Sequence, residues 1–179
     1  MNKEIFHNLI GNDIYFKTVE QKDSNDIHLF ASEKTANKFI GWPLMNTIEN
    51  TQAHVEKLIL KDLEDTTLYA SVCLKKTNQV IGCVMIFEFN KQAKHCEIGY
   101  VLNKDFWGQG FGTDAVGLML EYIHFELKFN KVYARTMGEN ASSRKVLEKN
   151  DFLNEATLKD HEVIDGDYYD LLIYSKYLG

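Results

Sequence analysis

The stretch from Glu97 to Thr113, EIGYVLNKDFWGQGFGT, constrains this chain more than any other. An apolar run ends at Leu102, glycines follow at 108, 110 and 112, and a second apolar segment begins at once. That order reads as strand, glycine-rich loop, helix. Val116, Leu120, Ile123 and Leu127 recur at helical spacing, while Leu118, Met119 and Phe125 add apolar surface outside that stripe. The spacing therefore predicts a helix over 113–127 that is buried on most sides. The first turn of a helix exposes unpaired backbone N–H groups and a partial positive charge, which together can hold phosphate. Glycine lets the backbone approach an anion closely and take positive φ. Two common phosphate loops are excluded: GxGxxG fails at its third glycine, where Thr113 stands, and no Gly-Lys pair exists for a P-loop. A tight turn that merely needs glycine is the competing reading. Asp114 would repel phosphate if its side chain turned inward.

The rest of the chain sets the frame for this unit. Its 179 residues suit a single domain, 1–179, with a core large enough to need no staples. There are 20 Lys and Arg against 26 Asp and Glu, and the net charge of −6 argues against a nucleic-acid binder. Cys73, Cys83 and Cys96 match neither a disulfide framework nor a zinc spacing, so no metal is expected and a reducing compartment is. The N-terminus has no apolar signal core, and no run approaches the ~20 residues that span a bilayer. The expected location is cytoplasmic, with no membrane partner.

Before the central unit, the pattern predicts a strand over 14–19 and a helix over 23–30 capped by Asp23 or Ser24. One or two helical turns follow over 32–38, then a break over 39–43 that holds the only proline, then a helix to Leu63 capped by Asn50 or Thr51. Strands over 68–74, 80–89 and 96–102, joined by short polar turns, read as antiparallel neighbours. After the long helix come a strand over 131–137, a helix from Asn140 or Ser142 to Lys149, and closing strands over 153–158 and 168–177 with a turn at Asp165-Gly166.

These pieces resemble the GNAT superfamily of N-acetyltransferases, and within it the RimJ/RimL-type branch. Glu97-Ile-Gly-Tyr100 with Trp107-Gly-Gln-Gly-Phe-Gly-Thr113 is similar to that branch's acetyl-CoA pyrophosphate loop, with Trp107 in place of the wider superfamily's Gln or Arg. Asn140-Ala-Ser-Ser143 through Phe152 resembles the N-x-x-S-x-x-V-L-E-K-x-G-F element, with Asp151 in place of glycine. Asp165 to Asp170 resembles the approach to the closing strand, and residues 39–43 the early Trp-Pro segment. The resemblance implies an α/β (α+β) fold: a mixed, mostly antiparallel sheet, splayed in the middle, with helices on both faces. It implies acetyl-CoA as co-substrate, its pantetheine arm entering the gap between the strands ending near Leu102 and beginning near Lys131 in the manner of strand addition. The cofactor-binding set so implied is Val101, Leu102, Trp107, Gly108, Gln109, Gly110, Phe111, Gly112, Thr113, Asn140 and Ser143. The pyrophosphate would rest on the N–H groups of 109–113, and Asn140 would bond the pantetheine. A homodimer is common among such proteins.

Acetyl transfer to an amine needs a base, an oxyanion site and a donor to the departing thiolate. Glu97 is the first candidate base, against a surface-paired carboxylate as the plain reading. Glu162 is the second, at the position where the branch places a carboxylate, against a solvated loop charge; His161 beside it is read as solvent-exposed. Counting back from Phe152 to the superfamily's usual tyrosine gives Leu147, which cannot donate; the resemblance implies Ser143, the branch's usual substitute, in that role, against a first-turn residue making a local backbone bond or an unassisted thiolate departure. Backbone N–H groups near Val101 and Leu102 would hold the oxyanion. Phe39, Trp42 and Trp107 are candidates to shape the acceptor pocket, and Cys96 is rejected as a nucleophile. The expected activity is acetyl transfer to a primary amine, a protein N-terminus, polyamine or other small amine, by direct attack in a ternary complex. A non-catalytic acyl-CoA sensor, or an enzyme using another phosphate-bearing ligand such as a nucleotide, are the competing readings.

Overall fold

Period-two alternation builds the centre of the molecule. The computed structural model describes residues 1–34, 38–39, 41–64 and 66–179. Strands β1 (Ile14–Lys17), β2 (Leu68–Leu74), β3 (Val80–Asn90), β4 (His95–Leu102), β5 (Lys131–Met137), β6 (Leu153–Ile164) and β7 (Asp167–Tyr177) form one seven-stranded sheet in the order β1-β2-β3-β4-β5-β7-β6. All neighbours are antiparallel except β4 and β5. Along β2, Leu68, Ala70 and Val72 point into one core while Tyr69 and Cys73 point into another. Both faces of the strand are therefore covered, which is why its sequence is almost unbroken in apolar character.

Helices α1 (Lys3–Phe6), α4 (Phe111–Tyr122) and α5 (Ala141–Lys149) pack on the first core, and α2 (Ser24–Ala31) and α3 (Ile48–Leu63) on the second. The mixed, mostly antiparallel sheet with helices on both faces is thus present. β4 and β5 pair only at His95↔Lys131, Cys96↔Val132 and Glu97↔Tyr133. Beyond Glu97 they diverge, so the sheet forks between two otherwise continuous halves.

Several local expectations need correction. α3 begins at Ile48, because extended Thr47 caps it by accepting the Asn50 N–H at 3.3 Å. Thr51, expected as a cap, is instead buried and bonded to His28 Nδ1 at 2.7 Å. Asp23 does not cap α2 with its side chain; its carboxylate takes the Glu20 N–H and Lys17 Nζ. The long helix opens at Phe111 and leaves α-geometry after Tyr122 for a π-helical turn, Ile123–Leu127. The wider turn shifts the side-chain phase, so Phe125 is 67% exposed while Leu118 and Met119 are buried. The strand expected to stop at 158 continues to Ile164 and closes on Asp165 and Gly166, both at positive φ as a tight hairpin turn requires. The turns expected over 32–38 fall partly outside the described residues. Among the described residues, no helix is long and apolar enough to cross a membrane.

Candidate active site

The fork opens into a cavity of about 700 Å³ lined by both sides of the sheet opening. Its floor is the start of α4. Gly110 caps that helix at φ 94°, and Gly108 precedes it at φ 74°. A Cβ at either position would meet nothing within 4 Å, so both glycines face open space and take a conformation that other residues rarely adopt. No side chain caps α4, and Asp114 N–H already bonds the Gly110 carbonyl at 3.0 Å. The amides of 111–113 are the unpaired first-turn donors. Asp114 is no obstacle: its carboxylate is turned away, packs on Gly11 and accepts the Asn12 N–H at 3.2 Å.

Trp107 explains its own place in the loop. Its indole N–H donates to the Leu102 carbonyl at 2.8 Å, tying the loop to the end of β4. Gly108, Gly110, Gly112 and Thr113 line the cavity; Gln109 and Phe111 do not, and offer only backbone. Gln109 Nε2 donates to the Asp105 carbonyl, and Phe111 packs on Phe106. Lys145 and Lys149, one turn apart on α5, also line the cavity beside this floor. Sequence reasoning missed them, although the four-residue spacing places both on one helix face.

Strand alternation sorts the remaining groups. Asn103 N–H bonds the Ile81 carbonyl at 2.8 Å, so the N–H and C=O of Val101 and Gly99 also point to β3. Those of Leu102, Tyr100 and Ile98 point to the gap. The donor side of the opening therefore belongs to Leu102 and Tyr100, while the Val101 N–H is directed into the β3 ladder.

The side chains divide in the same way. Tyr100 belongs with the core under α4 and α5, and its hydroxyl lies 2.9 Å from Ser143 Oγ and 3.1 Å from the Ser143 carbonyl. Ser143 itself stands at the start of α5, where Asn140 Oδ1 accepts its N–H at 3.1 Å. Asn140 lines the cavity but spends that oxygen on the cap and on Ser142. Leu147 is fully buried, and Asp151 takes the positive φ (61°) that a glycine would accept more readily. Tyr100 was not singled out from the sequence, because its partner is 43 residues away.

On the opposite face stands Glu97, at the last residue pair before the fork and 4% exposed. Its Oε1 accepts from Arg135 Nε at 2.8 Å, and its Oε2 is buried without a hydrogen-bond partner among the described residues. Burial raises its carboxyl above the ordinary range, opposed but not cancelled by Arg135. Glu162 lies on β6 opposite Tyr169, not in a loop, and is half-buried in the same cavity wall. His161 is exposed, as expected. Phe39, Trp42, Tyr69, Met85 and Phe87 complete this side. Cys96 is buried, its thiol pushed up to about 12 by desolvation, which makes it inert.

Residues 13–153 match the family model of the acetyltransferase (GNAT) domain. This chain belongs to the GNAT family of acetyltransferases. It is 25% identical over 159 residues to the uncharacterized N-acetyltransferase p20 of Bacillus licheniformis, covering 89% of each chain. It is 22% identical over 138 residues to the ribosomal-protein-serine acetyltransferase of Escherichia coli, covering 76% of each. Its fold is similar to that of RimL, a ribosomal L7/L12 alpha-N-protein acetyltransferase solved with coenzyme A, with a TM-score of 0.82 at 20% identity over 94% of this chain and 96% of that one. The GNAT chain is accordingly an acyltransferase, and the forked sheet with its glycine floor is the feature of this family's fold around which the candidate site is built.

Proposed function

We propose that this GNAT domain transfers acetyl from acetyl-CoA to a primary amine by direct attack in a ternary complex. One observation carries the reading. A buried carboxylate and a hydroxyl pair lie on opposite faces of the same fork and reach one cavity. The α4 amides and the Lys145 and Lys149 ammonium groups hold the diphosphate end by charge-assisted hydrogen bonds. Leu102 and Tyr100 offer backbone groups to the pantetheine arm and to the oxyanion that develops on the thioester carbonyl. Glu97, or Glu162 from the facing strand, takes the amine proton directly or through water. Ser143 donates a hydrogen bond to the departing sulfur, and Tyr100, whose hydroxyl donates to the Ser143 carbonyl at 3.1 Å and lies 2.9 Å from its Oγ, holds it in place. No covalent enzyme intermediate is needed. The acceptor is a protein N-terminus, a polyamine or another small amine.

Leu147 removes the superfamily's usual hydroxyl, which would suit an acyl-CoA sensor; the Tyr100–Ser143 pair supplies one from β4 and the first turn of α5 and favours catalysis. The test is release of free CoA thiol across a panel of peptides, polyamines and amino acids, with calorimetry against acetyl-CoA, ATP and NAD. Turnover together with selective acetyl-CoA binding is expected. Tight acetyl-CoA binding with no turnover on any amine would establish the sensor instead.

A further inference from the structure

We infer that Arg135 forms an anion subsite in the acceptor half of the cavity, and that the acceptor is an amino acid whose carboxylate it holds. The inference rests on the acetyltransferase reading above and names its substrate class. Alternation along β5 sends Val132 and Ala134 into the core under α4 and turns Arg135 to the face that carries Glu97. Arg135 lines the cavity with its side chain 49% exposed. Among the described residues its guanidinium makes one hydrogen bond, from Nε to Glu97. A guanidinium is a planar fork with two bonding edges. The bond through Nε occupies one donor, and among the described residues neither Nη makes a hydrogen bond, so the Nη–Nη edge remains to take a carboxylate with two parallel hydrogen bonds.

The neighbouring charges decide what kind of ligand fits. Glu97 and Glu162 face the same space, so a simple anion is repelled and a simple cation meets the guanidinium. A molecule with both charges satisfies all three groups. Its amine is delivered to the carboxylates, where the proton must leave, and its carboxylate lies on Arg135. Because Glu97 and Arg135 touch, the two groups of the acceptor must be close together, as they are in an amino acid. Phe39, Trp42, Tyr69 and Phe87 offer an apolar wall to its side chain. A lysine at 135 could pair with Glu97, but as a point charge it has no second edge.

The experiment takes the twenty amino acids as acceptors, measures CoA thiol release, and compares the best of them with its own amide and its own decarboxylated amine. Each is then run with Arg135→Lys and Arg135→Gln. The expected result is that Arg135→Lys lowers kcat/KM for the amino acid roughly 10- to 100-fold more than for the decarboxylated amine, the scale of one lost charge-assisted contact, since any effect passed through Glu97 is common to both acceptors and binding of the anion is not. Arg135→Gln should lose the preference for the acid altogether. Equal losses on all three acceptors would overturn the inference and make Arg135 only a partner of Glu97. Turnover of polyamines or peptides but of no amino acid overturns it as well, and leaves the acetyltransferase reading standing. No turnover of any amine, with acetyl-CoA bound, defeats both.

Discussion

Gly110→Val separates the fold of the α4 loop from its task. At φ 94° and ψ −14°, Gly110 occupies left-handed space, where a β-branched residue costs roughly 1–3 kcal/mol. No atom lies within 4 Å of where its Cβ would stand, so no clash with the protein adds to that strain. A domain with the usual 5–15 kcal/mol or so of stability survives the change. Its midpoint should drop about 2–4 °C per kcal/mol for a chain of this size. The new side chain projects into the space above the helix start and keeps a diphosphate from the amides of 111–113. Loss of two hydrogen bonds to a charged group, at about 1.5–3 kcal/mol each, is about 3–6 kcal/mol, or on the order of 100- to 10,000-fold in affinity. Calorimetric titration with acetyl-CoA, run beside a thermal melt, reads both quantities. A variant that melts only a few degrees lower yet binds acetyl-CoA as tightly as the parent would refute the placement of the diphosphate.

Three further expectations follow from the site and the helix. Glu97→Gln should lower kcat/KM on the order of 100- to 10,000-fold and recover as pH rises and the free amine deprotonates; in the parent, activity should fall on acidification through a pH above the ordinary carboxylate range, because burial raises the Glu97 carboxyl. If Glu162→Gln shows that recovery and Glu97→Gln does not, the two glutamates exchange roles. Tyr100→Phe and Ser143→Ala should each lower kcat about ten-fold, and the double variant no further than either, because the two hydroxyls act as one chain; losses that multiply would show independent roles. Gly117→Ala, where a Cβ would meet only Asn150 Oδ1 at 3.7 Å, should stabilise α4 by about 0.4–1 kcal/mol, and a lowered melting midpoint would contradict that.

Local chemistry made the elements legible. Glycines between an apolar strand and an apolar helix, the Asn140 cap and the Asp165-Gly166 turn each act within a few residues, and each stands where its sequence placed it. The fork was not readable from periodicity; only the family resemblance implied it, since strand divergence is a property of pairing and not of either strand. Arg135 and Tyr100 were missed for the same reason. Their partners Glu97 and Ser143 lie 38 and 43 residues away, and nothing local distinguishes either residue from a strand surface position. Phe125 failed for a subtler cause: helical spacing continued in the sequence while the backbone widened into a π turn. The polar run Lys159-Asp-His-Glu162 gives no strand signal of its own, which is why a loop competes with the candidate-base reading of Glu162, yet an edge strand tolerates polar residues on both faces.

The three residue pairs that join β4 to β5 act as the pivot of a pair of compasses. Four strands belong to one leg and three to the other, with a single core packed beneath both. The width between the legs grows with distance from the pivot and vanishes at it. Glu97 belongs to the last of those pairs, so its carboxylate stands where the two legs are still joined, at the narrow end of the opening.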